Sequence, residues 1–178
     1  MLELKNENEA YAFLLCHHLE GFVWRLRRLP LEKWDWTPDP AAPTARTLAT
    51  HAWQWLICDR QHIHEPDASQ HPRTPEPPED PFALCDLLAE ETETWRALIA
   101  GLTEEQLARV GHQFNIPDAG MNVRGFVCHM IQNVIYKHGQ FATLYFALGL
   151  DGTEPYAAPF PNPIYEQCFG PVVERNPS

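Results

Sequence analysis

The sequence predicts an all-α protein, a four-helix bundle, and three observations carry that prediction. Four long stretches place apolar residues at alternating steps of three and four, the spacing of a single buried helical face. No stretch shows the strict apolar–polar alternation of a half-buried strand. Two of the three segments between them are rich in proline, which removes a backbone donor and breaks helices. Residues 1–150 make one bundle domain on this reading, and residues 151–178 a proline- and aromatic-rich extension.

The first helix is capped by Asn6 or Asn8 and runs to about Arg28. Its seam reads Ala12, Leu15, Leu19, Phe22, Leu26 and Leu29, and Pro30 stops it. His17 and His18 sit near the seam, but two adjacent residues cannot both face the core. In the connector that follows, Pro38, Pro40 and Pro43 rule out helix, while Trp34 and Trp36 clamp it onto the bundle.

The second helix starts near Thr44 and reaches about His64, with Leu48, Ala52, Trp55 and Ile63 as its apolar marks. His51, Cys58 and His62 share one side, and Asp59 lies beside Trp55 on the inward half, an unusual place for a carboxylate. The linker EPDASQHPRTPEPPEDP is long enough to cross the bundle, which allows helices two and three to run parallel.

Asp80 followed by Pro81 starts the third helix, whose inward face is Leu84, Leu87, Leu88, Trp95, Leu98 and Ile99, and Gly101 ends it. Thr103 and Gln106 fit a capping box, so LTEEQLARV is a short extra helix. GHQFNIPDAGM reads as a loop without periodicity. The last helix is capped by Asn122 and ends at Gly149 or Gly152. Its seam is Val127, Met130, Val134, Phe141, Leu144 and Leu148, and Lys137 interrupts it. His129 and Asn133 precede that lysine by eight and four residues, so the three form one polar ridge. The extension after the helix carries Tyr156, Phe160, Ile164, Tyr165 and Phe169. It is too apolar for a free tail and is expected on its own bundle or on a partner subunit.

A formal net charge of −11 repels phosphate backbones, so nucleic acid is not an expected partner. The trio Arg25, Arg27 and Arg28 ends the first helix, where cations meet the helix dipole. Five widely spaced cysteines without a CxxC pair point to reduced thiols and a cytoplasmic protein. The start of the chain lacks the pattern of a signal peptide, and no apolar run approaches a membrane span.

A bundle interior holding His51 and Asp59 on one helix and Lys137 on another contains the parts of a buried polar network. The alternative is that Asp59 pairs with Arg60 or a surface lysine.

The segments KWDWTPDP, RTLATHAW around His51, LTEEQLARV, and HMIQNVIYKHGQFATLYFALG, taken in order, resemble the DinB/YfiT-like superfamily of metal-dependent enzymes. The last helix of that family reads His-x3-His-x3-His-Arg-Gly-Gln, and Gly139–Gln140 with the run to Gly149 is similar to it. The resemblance implies an up-down-down-up bundle, often a homodimer. It also implies a divalent metal such as zinc or nickel on one histidine of helix two and two of the last helix. Relatives include thiol-dependent transferases and isomerases. Matched position by position, His51 fits the helix-two ligand and His129 the leading, usually non-ligating histidine. The two remaining ligand positions hold Asn133 and Lys137, a weak ligand and a protonated amine without a lone pair. His138 lies about 100° round the helix from Lys137 and does not replace it.

The sequence therefore suggests a metal-free pocket in which the Lys137 ammonium stands where relatives hold their ion. His51 and Asn133 are its expected hydrogen-bond partners, Asp59 its counter-charge, and a small anionic or carbonyl compound its ligand. If burial lowers its pKa, Lys137 also becomes a base or a nucleophile, with His51 as its catalytic companion. The other reading is a non-catalytic helical dimer or packing module with a vestigial site, and the sequence leaves open whether the protein is an enzyme.

Overall fold

The computed structural model describes residues 6–64, 74–113 and 116–150, with no side-chain account for 111–120. The expectation for the extension 151–178 lies outside these residues, as does the linker stretch 65–73. The elements are α1 (Glu7–Arg28), α2 (Ala45–His64), α3 (Pro81–Gly101), α4 (Glu104–Ala108), β1 (Val110–Gln113), β2 (Ile116–Asn122) and α5 (Val123–Ala147). Leu31–Lys33 adds one 3-10 turn after α1.

The helix boundaries follow local chemistry. Asn6 accepts from the Glu9 amide, Asp80 from that of Phe82, and Asn122 from that of Gly125, each satisfying a donor that the first turn leaves free. Thr103 and Gln106 form the reciprocal capping box of α4. Past α5 the chain turns through Gly149, whose φ of 70° suits a residue without a Cβ.

Side-chain pairs fix the direction of every long helix. Asn8 at the start of α1 reaches the Leu102 carbonyl after α3, and Arg27 at the end of α1 reaches Asp86 near the start of α3. These two run antiparallel. Glu7 pairs with Arg124 and Phe22 packs on Phe141, so α1 and α5 run parallel. Arg46 reaches the Glu79 carbonyl and Arg60 pairs with Glu91, so α2 and α3 run parallel, while Asp59 meets His129 across the antiparallel α2 and α5. The topology is up-down-down-up.

The core is continuous across all four helices and includes Phe22, Leu26, Leu48, Leu56, Leu88, Ile99, Val134 and Phe141. Trp34 is fully buried and Trp36 packs against the core, so the connector is clamped as its tryptophans suggest. Trp95 donates to the Leu56 carbonyl at 3.1 Å, tying α3 to α2. In α2 Trp53 is buried, and Trp55, expected as a core mark, is partly buried and packs against the core.

One expectation is corrected. GHQFNIPDAGM is not a loop: β1 and β2 pair antiparallel, Val110 opposite Asn122 and Gly111 opposite Met121, with an irregularity between His112 and Gln113. The Val123 amide continues the pairing to the Arg109 carbonyl at 3.0 Å. The ribbon is short, contains Gly111 and Pro117, and its sequence does not alternate apolar with polar residues, so a period-two test has nothing to detect.

Candidate functional site

The polar ridge of α5 faces α2, and the two helices bring five candidate residues onto one face. His129, Asn133 and Lys137 come from α5 at successive turns, and His51 and Asp59 from α2 two turns apart. All but Asp59 are half-buried; the Asp59 side chain is 2% exposed.

Asp59 accepts from His129 Nδ1 at 2.6 Å. Neither Lys137 nor Arg60 is its partner, since Arg60 pairs with Glu91 at 2.7 Å. The hydrogen bond to Asp59 raises the His129 pKa above its usual value, partly opposed by burial. Burial pushes the Asp59 carboxyl upward, and His129 draws it back down. With Nδ1 committed, His129 keeps Nε2 for solvent or a ligand.

Trp55 stands between the two histidines, its ring 5.9 Å from His51 and 5.5 Å from His129, edge-on to both. Its indole N–H donates to His51 Nε2 at 2.5 Å. That bond fixes the neutral His51 tautomer with its proton on Nδ1. Burial, and then the charge of Lys137, hold the His51 pKa below the usual range, so the ring stays neutral near pH 7.

Lys137 Nζ makes no ion pair among the described residues; it lies over the Tyr136 ring, 5.4 Å to the centroid. Burial lowers its pKa. Asn133 Oδ1 is buried without a hydrogen-bond partner. The expected hydrogen bonds from Lys137 to His51 and Asn133 are therefore not formed, although the charge of Lys137 is felt at His51. Among the described residues no three His, Cys, Asp or Glu side chains gather in a way that could hold a metal ion.

His138 belongs to a different place. It faces α1, where its Nδ1 lies 3.5 Å from His18 Nδ1, and its Nε2 is buried without a partner. Burial drops His138 to about 3 and His18 to about 4, with Arg25 and His17 adding positive charge nearby. Gly21 makes the room: a Cβ there would stand 3.2 Å from His138 Cε1. Sequence reasoning missed this pair, although His18 and Gly21 on one helix and His138 on another were its visible signal. A groove of about 330 Å³ between α1 and α3, lined by Val23, Trp24, Ala89 and Thr92, lies across the bundle from the α2–α5 face.

The up-down-down-up order of long helices now meets its sequence counterpart. Residues 15–141 match the family model of the DinB superfamily. The chain belongs to the DinB superfamily. Solved structures with the same fold include YfiT from Bacillus subtilis, described as a probable metal-dependent hydrolase with an unusual four-helix bundle topology. It shares 14% identity, with a TM-score of 0.64 over 84% of this chain and 92% of YfiT. The DinB-like protein YjoA from Bacillus subtilis shares 20% identity, with a TM-score of 0.62 over 80% of this chain and 93% of its own. A conserved protein from Enterococcus faecalis shares 17% identity, with a TM-score of 0.60 over 82% and 99%. No curated protein matches. At these identities the neighbours establish the DinB fold of the chain, and its chemistry rests on its own side chains.

Proposed function

We propose that the α2–α5 face of this DinB-superfamily protein binds a small anionic or carbonyl ligand without a metal, with Lys137 as the cation that meets it. The observation that carries this reading is the state of Lys137: half-buried, depressed in pKa by burial, and without an ion-pair partner among the described residues. A partly desolvated ammonium gains most from an anion that enters beside it. One turn away, Asn133 offers a buried amide whose oxygen has no partner, and an amide that turns over presents its NH2 instead. Across the face, the His51 Nδ1–H is a neutral donor, and His129 is kept basic by Asp59.

The superfamily resemblance implies a divalent metal at this place in the fold, and YfiT is described as a probable metal-dependent hydrolase. The residues present do not fit one. His51 spends Nε2 on the Trp55 indole, Asn133 is a weak ligand, and the Lys137 ammonium repels a cation. The polar groups set only the chemical class of the ligand, and binding rather than turnover is the role they support.

Calorimetric titration with inorganic phosphate and with pyruvate, an anion that also carries a ketone, tests this reading. Lys137→Met should weaken binding of the preferred probe at least about tenfold, the worth of one charge-assisted contact. Unchanged affinity would overturn it. So would a stoichiometric divalent ion in untagged protein that His51→Ala abolishes.

A further inference from the structure

The outward face of α5 is built unlike that of α3. Cys128, Gln132, Ile135, Tyr136, Gly139, Thr143 and Phe146 lie on one side of it, all exposed. Ile135 is 41% exposed, Tyr136 61% and Phe146 53%. No charged residue stands among them: the charged residues of α5 are Arg124, engaged with Glu7 and Glu104 in the first turn, and Lys137, which borders the strip with its ammonium 5.4 Å from the Tyr136 ring centroid. The outward positions of α3, by contrast, carry Asp86, Glu90 and Glu93. In a chain of net charge −11, a strip that holds no acidic residue and exposes Ile135, Tyr136 and Phe146 is an apolar-rich surface left uncovered among the described residues.

Gly139 sharpens the point. It sits in the middle of the helix, where glycine is disfavoured, and a Cβ added there would meet nothing within 4 Å. Nothing inside the bundle requires its small size. A segment lying close against the outer backbone would.

We propose that the chain's own extension, residues 151–178, lies back along this face of α5. The extension leaves α5 at the Phe146 end of the strip, so its attachment point adjoins the surface it would cover. It carries Tyr156, Phe160, Tyr165 and Phe169, large apolar side chains that need burial, among prolines that favour an extended path. Its reach is sufficient. The strip from Phe146 back to Cys128 is about 27 Å at helical rise, and the residues to Phe169 span about 60 Å at an extended rise. A covalently attached segment also has a high local concentration that a second copy, itself strongly acidic, lacks.

Cys128 reports occupancy of the strip in the full chain, because Cys16, Cys58 and Cys85 are buried and serve as slow internal standards. Its alkylation by a maleimide, followed at the Cys128 peptide by mass spectrometry, should be at least about tenfold faster when Tyr156, Phe160 and Phe169 are changed together to serine. The melting transition should be retained in that variant. Gly139→Lys, which puts a long side chain on the strip without touching the bundle, should release Cys128 as well. Equal alkylation rates in the native chain and both variants would overturn the proposal. Protection that grows with protein concentration alongside a doubled mass would overturn it in favour of a second copy on the strip.

Discussion

Asp59 shows how one side chain sets the electrostatics of the α2–α5 face. Its carboxylate is buried and satisfied by His129, and it keeps that imidazole basic. Asp59→Asn should therefore lower the His129 pKa, read by NMR titration of the ring, and cost about 1–3 kcal/mol in urea unfolding. The histidines on opposite sides of α5 give opposite pH signs. His129 is raised, so its contribution is complete below the unfolded pKa of about 6.5 and is lost as pH rises through its folded value. His18 and His138 are depressed to about 4 and about 3, so their contribution is present above 6.5 and is lost as pH falls toward those values. His138→Phe should flatten the decline of the urea midpoint between pH 6.5 and 4, and an unchanged decline would refute the assignment. At this scale the sequence was legible in part. The unusual inward place of Asp59 was visible from helical spacing, but its partner was not. Which of two neighbouring polar groups captures a buried carboxylate depends on packing between helices, and spacing along one chain carries no such information.

Elements were far more legible where a local rule decides them. Asn6, Asp80, Thr103 with Gln106, and Asn122 each mark a helix start by a side chain that satisfies a free amide close by in the chain. Thr103→Ala should lower stability by about 1 kcal/mol in urea unfolding, and no change would show that α4 is held by its contacts alone. The β1–β2 ribbon was illegible for the opposite reason. Its pairing is a relation between residues 110 and 122 that joins the end of α4 to the start of α5, and its apolar residues do not alternate. Trp53 and Trp55 make the same point within α2. The three-four pattern admits either ring as a core residue, and the bundle buries Trp53 while turning Trp55 toward the histidines.

For the whole molecule, four apolar seams and one long linker were enough to indicate a bundle, and the linker already allowed α2 and α3 to run parallel. The pairs at both ends, Arg27–Asp86 and Arg124–Glu7, show how that topology is held in register. Among the described residues no helix is long and apolar enough to cross a membrane. The fold places α2 against α5, and on the reading proposed above this face meets its ligand with an ammonium rather than a metal. The most direct test is an NMR titration of the Lys137 side chain, with and without inorganic phosphate or pyruvate. Burial without a counter-charge predicts a pKa below the ordinary value of 10.5 in the free protein, rising when the anion binds. A pKa at the ordinary value that neither anion moves would contradict it.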